Sequence, residues 1–512
     1  MTTYKLGTRG SLLAVTQSTL IKNQIEELTG SKVELVLIKT QGDQITNKPL
    51  WQLEGKDFFT KELDEALLKG EVDFVVHSYK DLGSERPAGI KLAAVTERKY
   101  AHDILLIRKD VLERLENWKE EFIVGTSSPR RIVNLTSKLA EYIPHSRKNQ
   151  LKVKCETLRG NVNTRIQKLK DGNYHAITLA LAGVERLAQG ENSKAELRQL
   201  LDGLNYLILP QSVFPSAASQ GALGLEIRED REDGGILHSH LSKLSHPRTV
   251  EEVYRERKAF KHYGGGCHLA VGIHVKKISE DNFLHVHAGE VDGKTINKRW
   301  LESSVIPVLK KPKLFVGLPK ADDRYVHDKF LIKKPIQETL DLTHKHVFVT
   351  SRYCLDTLKA SGSAAGLWAA GSKTAEALTS AGLWINGTSD SLGTEDLKGL
   401  KSSLALAMFN NINSSWTVLS HAGSQSDLGD VVASYVREEA VCSPEWIAEL
   451  KQVGACYWTS FPQYHAYMKK FPFLAEAIHV CGLGKTWQEF VRAHIAVHPV
   501  SSMQEFYSLI KD

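Results

Sequence analysis

The chain has 512 residues and a formal net charge of +6, and 42% of its residues are hydrophobic while 25% are charged. This balance excludes a mainly disordered or fibrous chain, and no apolar run approaches the ~18 residues that a membrane-spanning helix needs. At roughly 100–200 residues per domain, the length predicts about three to five domains.

Short apolar runs alternate with helical patterns along the first half of the chain. The sequence predicts strands at 33–38, 74–76, 123–124 and 176–181, and an amphipathic helix at 58–68. This alternation is typical of α/β domains with mainly parallel sheets. Functional side chains are therefore expected on loops at the carboxyl ends of the strands.

Four loops near these strand ends carry groups that bind anions or transfer protons. They span residues 7–11, 77–81, 126–131 and 158–165. Clustered Ser, Thr and Arg side chains at strand ends can hold a carboxylate or a phosphate, and a carboxylate such as that of Asp81 can move a proton. A Lys-Asp pair such as Lys80-Asp81 is also common on solvated surfaces, so both interpretations stay open here.

Arginine is unevenly distributed, with eighteen residues in 1–312 and four in 313–512. Its guanidinium group is suited to bidentate binding of carboxylate or phosphate. We therefore predict that the first part of the chain binds an anion, with a solvated basic surface as the alternative. Basic runs do not exceed three residues and are not interleaved with aromatic residues, so we predict no nucleic-acid partner.

The loop at 264–267 joins three glycines to Cys267. The glycines allow close approach of a bulky group, and an exposed thiolate can bond to it covalently. The alternative is a small, buried, unreactive cysteine. The six cysteines lack CxxC spacing and residues 1–10 lack the apolar core of a secretory signal, so we predict no metal and a cytoplasmic location.

A break rich in proline and lysine at 307–313 predicts a linker. Beyond it, 348–374 and 457–486 each follow the order strand, Thr-Ser, helix, strand, glycine-rich turn and helix. This repeat predicts two similar α/β lobes around a cleft, with chance similarity of α/β units as the alternative. Both glycine-rich turns lack the first glycine of a P-loop, so no nucleotide site is predicted.

Taken together, motifs from about Tyr4 to His274 resemble those of the hydroxymethylbilane synthase family, also called porphobilinogen deaminase. The similar segments are 7–11 (GTRGS), 40–43 (TQGD), 55–63 (GKDFFTKEL), 77–81 (HSYKD), 125–131 (GTSSPRR), 158–165 (LRGNVNTR), 220–224 (QGALG) and 265–267 (GGC). The resemblance implies an α/β fold with a periplasmic-binding-protein-like two-domain core and a small α+β cofactor domain. The implied boundaries are 1–98 with 207–228 for domain 1, 99–206 for domain 2 and 229–306 for the cofactor domain.

In this family, four porphobilinogen molecules are joined head to tail, with loss of ammonia, into the linear tetrapyrrole hydroxymethylbilane. The resemblance implies that a dipyrromethane cofactor bonded to Cys267 carries the growing chain. It also implies that Lys80 and Asp81 are catalytic, with Asp81 contacting pyrrole N–H groups. The implied cofactor contacts are Arg9, Ser11, Ser78, Lys80, Asp81, Thr126, Ser128, Arg130, Arg131, Arg159, Gly160 and Arg165, and the implied substrate contacts are Arg9, Phe59, Arg159, Arg165 and Gln220.

Residues 314–512 more weakly resemble uroporphyrinogen-III synthase, a family with two α/β domains around a cleft that closes hydroxymethylbilane into a ring. Thr486 is the site residue that this resemblance implies. The chain is then a monomeric fusion enzyme acting on the small molecule porphobilinogen, without a membrane partner. Two alternatives stay open: a second half without catalytic activity, and a non-enzymatic anion-binding protein on the periplasmic-binding-like fold.

Overall fold

The computed structural model describes residues 2–40, 60–83, 85–266, 268–303, 309–318, 324–409 and 415–509. The predicted site residues Phe59 and Cys267 lie outside these residues. The chain divides into two compact units. Unit 1 comprises Met1–Lys277, Val286–Lys298 and Ser402–Ile412, and unit 2 comprises Ile278–His285, Arg299–Lys401 and Asn413–Asp512. None of the helices in the described ranges combines the length and the apolar character of a membrane span.

The strands are numbered in chain order. They are β1 (Thr3–Arg9), β2 (Lys32–Ile38), β3 (Phe74–Ser78), β4 (Ile90–Val95), β5 (Asp103–Arg108), β6 (Phe122–Gly125), β7 (Val153–Glu156), β8 (Ala176–Ala180), β9 (Leu204–Ile208), β10 (Leu223–Arg228), β11 (Ala270–Ser279), β12 (Asn282–Val291), β13 (Lys294–Leu301), β14 (Lys313–Val316), β15 (Val326–His327), β16 (Leu331–Pro335), β17 (Lys345–Val349), β18 (Gly366–Ala369), β19 (Gly387–Thr388), β20 (Ser415–His421), β21 (Asp430–Glu439), β22 (Val453–Trp458), β23 (Ile478–Gly482) and β24 (His498–Val500).

The α-helices that the structure describes are numbered in the same way. They are α1 (Leu12–Thr29), α2 (Lys61–Leu68), α3 (Lys109–Arg114), α4 (Pro129–Lys138), α5 (Ser146–Asn149), α6 (Val162–Lys170), α7 (Leu181–Gln189), α8 (Glu191–Leu201), α9 (Ile236–Ser242), α10 (Pro247–His262), α11 (Leu355–Ala360), α12 (Ser372–Ser380), α13 (Glu395–Lys401), α14 (Leu404–Ala407), α15 (Pro444–Leu450), α16 (Phe461–Lys470), α17 (Lys485–Arg492) and α18 (Met503–Tyr507).

The first sheet of unit 1 has the strand order β2-β1-β3-β10-β4. β1 runs parallel to β2 and β3, whereas β10 runs antiparallel to β3 and β4. One face packs against α1 and α9 in a core that includes the fully buried Leu6, Ile25 and Phe74. Because β1 and β3 are parallel, Arg9 and Ser78 end their strands at the same edge of the sheet.

The second sheet of unit 1 has the order β7-β6-β8-β5-β9, with β6 parallel to β7 and β8 and with β5 antiparallel to β8 and β9. Both sheets are therefore mixed, which corrects the expectation of mainly parallel sheets. The chain passes from one sheet to the other before β5 and again before β10, and each of these strands runs against its neighbours. The predicted return to domain 1 at residue 207 falls inside β9, which extends to Ile208.

The predicted secondary structure agrees closely with the observed elements. The strands expected at 33–38, 74–76 and 123–124 lie within β2, β3 and β6. The strand expected at 176–181 ends at Ala180, because the buried Leu181 already begins α7. The first two residues of the expected helix at 58–68 lie outside the described ranges, and the described part contains α2, which begins at Lys61 after the N-cap residue Thr60.

β11, β12 and β13 form a three-stranded sheet in that order. α10 precedes it, and the buried carboxylate of Glu256 in this helix accepts hydrogen bonds from the backbone N–H groups of Ser219 (2.7 Å) and Val275 (2.9 Å). The same carboxylate pairs with Arg98. These contacts fix the helix that leads to the glycine loop against the segment that precedes β10.

Unit 2 contains a sheet with the order β15-β14-β22-β23-β24 and a sheet with the order β16-β21-β20-β17-β18-β19. The predicted repeat is present, since β17, α11, β18 and α12 in one lobe correspond to β22, α16, β23 and α17 in the other. The lobes are not consecutive, because β14 pairs with β22 far along the chain. β14 begins at Lys313, the last residue of the predicted linker.

Candidate active site

A cavity of about 2150 Å³ in unit 1 is lined by the loops at the strand ends. Among the predicted site residues, its wall includes Arg9, Ser11, Ser78, Lys80, Asp81, Ser128, Arg130, Arg131, Arg159, Gly160, Arg165 and Gln220. Gly264, Gly265, Gly266 and His268, which flank Cys267, also line the cavity. The fold therefore brings all four polar loops and the edges of the glycine loop to one cleft.

The described wall of this cavity is strongly basic. Its eleven basic side chains are Arg9, Lys39, Lys80, Arg86, Arg130, Arg131, Arg159, Arg165, Lys168, Arg186 and Lys261, and its acidic side chains are Asp81 and Glu85. An excess of guanidinium and ammonium groups in one concave surface favours binding of a molecule with several negative charges.

Lys80 and Asp81 lie in a 3₁₀ turn, Tyr79–Asp81, directly after β3. The N–H of Tyr79 donates to the carbonyl of Ala222, which joins the start of the turn to the segment before β10. The Asp81 side chain is exposed and lines the cavity. A carboxylate held on a turn but open to the cleft can contact a substrate directly.

Arg257 of α10 holds this turn from behind. Its guanidinium donates to the carbonyl oxygens of Tyr79 (3.4 Å), Leu82 (3.2 Å) and Gly83 (2.5 Å). It also lies over the Tyr79 ring, 4.6 Å from the ring centre. A rigid guanidinium fork with three carbonyl partners fixes the backbone on both sides of Asp81. The sequence motifs did not identify Arg257, because nothing in a helical pattern shows which loop its side chain reaches.

Gln220 is fully buried and joins the turn to a buried ion cluster. Its Oε1 accepts from Lys80 Nζ (3.2 Å) and from Arg130 Nη2 (3.3 Å). Its Nε2 donates to Asp103 Oδ1 (2.9 Å) and to the Ala101 carbonyl (2.7 Å). The side chain thus uses both ends of its amide and orients Lys80 from below the cavity wall.

Asp103 binds both arginines of the Pro129-Arg130-Arg131 segment. Arg130 Nη1 and Arg131 Nη2 donate to its carboxylate at 2.7 Å and 2.6 Å. Burial opposes ionisation of Asp103, but the two guanidinium groups outweigh burial and hold its pKa far below the usual range. Sequence reasoning did not single out Asp103 as a partner of these arginines, which therefore serve in the ion cluster as well as in the cavity wall.

Lys80 is the basic group of the Tyr79–Asp81 turn, and its surroundings lower its pKa. Burial lowers its pKa to about 8, with Asp81 acting in the opposite direction and Arg131 adding to the decrease. Near neutral pH the ammonium group is still charged, and it loses its proton at mildly alkaline pH.

Arg159, Gly160 and Arg165 form the far wall of the cavity around the start of α6. Arg165 Nε donates to the Gly160 carbonyl (2.7 Å), and burial together with the charges of Arg131 and Arg159 lowers its pKa to about 10. Gly160 has φ 117°, and a Cβ there would lie 2.9 Å from Thr164 Cγ2, so this turn requires glycine. This bond holds the Arg165 guanidinium at the cavity wall, which Arg159 also lines.

Thr126 and Ser128 take different positions in the same loop. Thr126 is buried, and its hydroxyl accepts from the Ser128 N–H (3.3 Å), which makes it a support of the loop. Ser128 precedes α4 and lines the cavity. Ser11 has the corresponding position before α1, where its hydroxyl accepts from the Ala14 N–H (3.4 Å).

Two further buried groups were not found from sequence. Arg186 of α7 lines the cavity and donates to the Gly221 carbonyl (2.6 Å), and burial lowers its pKa to about 10.

Asp64 and Glu226 lie together near His77, and Arg86 donates to both carboxylates, at 2.5 Å and 2.8 Å. The Arg86 guanidinium supplies the positive charge at this cluster.

Unit 2 gathers basic side chains around His421. Burial and then the charges of Arg437, Lys485 and Lys333 lower the pKa of His421 to about 4. Burial and the neighbouring arginines lower the pKa of Lys333 to about 8. Arg437 donates to Ser460 Oγ (2.6 Å). We call Lys333, His421, Arg437 and Lys485 the basic cluster of unit 2.

Thr486, the site residue implied for the second half, lies at the start of α17. Its hydroxyl donates to the Thr459 carbonyl (3.2 Å), directly beside Ser460 in the chain. Thr486 is therefore linked through the Thr459-Ser460 pair to Arg437 of the basic cluster.

Comparison with known proteins extends these observations. A family model described as "Porphobilinogen deaminase, dipyromethane cofactor binding domain" matches residues 4–234. The porphobilinogen deaminase of a Nitratiruptor species is 37% identical over 296 residues, which cover 57% of this chain and 85% of the relative. The porphobilinogen deaminase of a Nostoc species is 32% identical over 298 residues, which cover 58% of this chain and 84% of the relative.

Solved structures give weaker likenesses. Uroporphyrinogen-III synthetase from Helicobacter pylori 26695 is 16% identical and covers 38% of this chain and 97% of its own, with a TM-score of 0.28. The BenM effector-binding domain is 15% identical and covers 52% of this chain and 95% of its own, with a TM-score of 0.25. These TM-scores are too low for either likeness to establish a fold.

The matched residues 4–234 include ten of the eleven basic side chains of the cavity wall, the Lys80-Asp81 turn and the Arg130-Arg131 pair. The identity and the length covered in the deaminase relatives exceed what unrelated chains with a shared fold would have. The chain belongs to the porphobilinogen deaminase family, an enzyme family of transferases that carries a dipyrromethane cofactor.

Proposed function

We propose that the cleft of unit 1 joins four porphobilinogen molecules head to tail, with loss of ammonia, to give hydroxymethylbilane. The observation that carries this proposal is the basic wall of the cavity, with eleven basic and two acidic side chains in its described part. Each porphobilinogen brings two carboxylates, so a growing chain accumulates negative charge. Burying carboxylates is costly unless each is paired, which explains why one cleft needs many cationic groups.

Asp81 and Lys80 are proposed as the catalytic residues. As ammonia leaves porphobilinogen, the methylene carbon becomes electron-poor, and the exposed Asp81 carboxylate stabilises that developing positive charge near the pyrrole N–H. After the new carbon–carbon bond forms, a ring carbon must lose its proton, and Asp81 is the described carboxylate that the Arg257 clamp holds at the cleft. Lys80 contributes a positive charge toward substrate carboxylates.

The proposed carboxylate contacts are the guanidinium groups of Arg9, Arg159 and Arg165, with Ser11, Ser78 and Ser128 at the strand ends. Phe59 and Gln220 complete the proposed substrate contacts, with Gln220 acting through Lys80, to which it is bonded. Arg130 and Arg131 are proposed to face the cofactor while Asp103 holds them, and Thr126 and Gly160 shape their loops.

The dipyrromethane cofactor is proposed to be attached to Cys267. The glycines before Cys267 have φ values of 98°, 61° and 88°, so the loop turns through conformations that other residues rarely adopt. No heavy atom of the described residues lies within 4 Å of a Cβ built on Gly264, which leaves space for a bulky group beside the loop. When bound, the cofactor supplies the pyrrole end to which substrate is added.

Intact mass measurement of the purified full chain tests this assignment. We expect an added mass equal to one dipyrromethane, and its loss in Cys267→Ser with the chain still folded by circular dichroism. Cys155→Ser is the matched control, since Cys155 is half-buried and bonds to Thr136 away from the cavity. An adduct that persists in Cys267→Ser, or no adduct in the parent chain, contradicts the proposal.

As a second candidate function, we propose that unit 2 closes hydroxymethylbilane into uroporphyrinogen III. The basic cluster of unit 2 supports this, because it concentrates cationic groups in a region with few arginines, next to Thr486. The product isomer tests it: Arg437→Gln in the full chain is expected to shift product toward the type I isomer while porphobilinogen consumption is unchanged. Arg492→Gln, a change at an exposed arginine, is the control. Type I product from the parent chain would indicate that unit 2 is not a working synthase.

We also propose the domain limits 1–98 with 207–228, 99–206, 229–306 and 314–512, with a periplasmic-binding-protein-like core for the first two; within the last range, residues 402–409 belong to unit 1. The free cysteines of the described ranges support a reducing, cytoplasmic location. Monomeric assembly stays a prediction that sedimentation equilibrium would test.

A further inference from the structure

A short segment from the second half of the sequence belongs structurally to unit 1. Residues 402–409 lie well beyond the predicted linker, yet they group with the deaminase cleft residues in one compact unit. The segment contains α14, and the hydroxyl of Ser403 caps this helix by accepting from the Leu406 N–H (3.2 Å). Ser403 and Ala405 are buried.

Glu185 of α7 holds the beginning of this segment. Its carboxylate accepts from Ser403 Oγ (2.6 Å) and from the N–H groups of Leu404 (3.1 Å) and Ala405 (3.0 Å). Glu185 is 3% exposed, and a carboxylate so deeply buried needs such donors. The first N–H groups of a helix lack partners within the helix, so each side satisfies the other.

Aromatic and hydroxyl contacts extend this attachment. The rings of Tyr206 and Phe409 lie 4.8 Å apart, and Tyr206 is 1% exposed. The Tyr100 side chain is hydrogen bonded to Ser402 and Ser403, and burial followed by the charge of Glu185 raises its pKa to about 12. Charged, aromatic and hydroxyl partners therefore contact the segment at both of its ends.

The helix that receives the segment also lines the cleft. Ala182, Gly183 and Arg186 of α7 are part of the cavity wall, while Glu185 projects from a neighbouring face of the same helix. Arg186 is tied to the Gly221 carbonyl beside the fully buried Gln220. Support of α7 by the segment therefore affects the positions of Arg186 and Gln220, both of which line the cleft.

We propose that residues 402–409 are an integral part of the deaminase unit, a strap supplied from the second half of the sequence that holds α7 at the back of the cleft. A chain cut at the linker would lack the three donors to Glu185 and the ring partner of Tyr206. This proposal concerns the architecture of unit 1 and holds whether or not unit 2 is a synthase.

Hydrogen exchange of the full-length chain, read by mass spectrometry, tests the strap. In Glu185→Ala we expect peptides covering 403–407 and 181–189 to exchange at least about tenfold faster, because the N–H groups of Leu404 and Ala405 lose their acceptor. Glu196→Ala is the control, since Glu196 is an exposed acid on the adjacent helix α8. Its exchange in both peptides is expected to match the parent chain.

Phe409→Ala provides a second variant in case Glu185→Ala fails to fold. It removes the ring contact with Tyr206 and leaves the buried carboxylate and its donors in place, and the same two peptides are expected to exchange faster. Unchanged exchange at 403–407 and 181–189 in the folded variants would overturn the proposal. Faster exchange at 403–407 with α7 unchanged would also overturn it, because the segment would then be attached without supporting the helix.

Discussion

The two regions of this molecule collect positive charge in different ways. In unit 1 the arginines come from loops at the ends of several strands, and many of them face one cavity. Residues 313–512, which make up most of unit 2, contain only four arginines. Burial of His421, followed by the nearby charges of Arg437, Lys485 and Lys333, nevertheless lowers its pKa to about 4. Regional charge predicts where an anion site is favoured, but only the fold decides whether a nearly neutral region contains one.

The two regions also differ in how the charges are restrained. Arg130 and Arg131 are locked by a buried carboxylate, whereas Arg437 bonds to the neutral hydroxyl of Ser460. Removing the acid from the first arrangement should lower the free energy of unfolding strongly, because two buried guanidinium groups lose their counter-charge. The second has no buried acid at its centre among these contacts.

The largest expected effect concerns the buried ion cluster of Asp103, Arg130 and Arg131 in unit 1. Asp103→Ala should lower the free energy of unfolding by about 3–5 kcal/mol, since it leaves buried charges without a partner. Denaturant unfolding of the full chain measures the change. Asp110→Ala removes the exposed partner of Arg108 in the same sheet region and should cost no more than about 1 kcal/mol. Equal losses in the two variants would show that the buried cluster stabilises the fold no more than an exposed ion pair does.

The next effect concerns catalysis at the exposed carboxylate. Asp81→Asn should lower kcat for porphobilinogen consumption by about 10²–10⁴-fold with little change in folding, because the side chain is exposed. Glu85→Gln changes another exposed acid on the same wall and should leave kcat close to that of the parent. A similar loss in both variants would assign the effect to the net charge of the cleft instead of to Asp81.

Arg257 is a positioning residue, and its removal should cost less than that of Asp81. Arg257→Lys keeps the charge but loses the fork to the carbonyls of Tyr79, Leu82 and Gly83, so kcat should fall about tenfold to a hundredfold while KM changes little. Steady-state kinetics separates the two constants, with exposed Lys258→Ala as the control. A rise in KM alone would place Arg257 among the substrate contacts.

The smallest effect is a change with pH. Lys80 has a pKa lowered by burial to about 8, so its charge is present below that pH and disappears above it. KM for porphobilinogen should therefore rise as pH increases through about 8, by up to about tenfold for each further pH unit. Lys80→Arg keeps a charge throughout this range and should remove the rise. If the rise persists in Lys80→Arg, another group controls substrate binding.

Much of the site in unit 1 could be predicted from sequence. Arg9, Asp81 and Arg165 follow short apolar runs or lie in motifs whose residues act together, and the structure brings them to one cleft. The hydrogen-bond partners of the buried site residues could not be predicted. Asp103 and Arg130 are separated by 27 residues, and Lys80 and Gln220 by 140. Patterns of neighbouring residues report local conformation and contain no distance between such remote positions.

The sequence by itself determined several strands of the first half, the repeat in the second half and the loops rich in anion-binding groups. These features depend on nearby residues, through apolar periodicity and the conformational preferences of glycine and proline. The tertiary structure decided that the first two sheets of unit 1 are mixed and that β14 pairs with the distant β22. It also decided that the Ser403 hydroxyl donates to Glu185, 218 residues away. Those contacts form only when buried polar groups find partners during packing, and the partner is chosen by the fold as a whole.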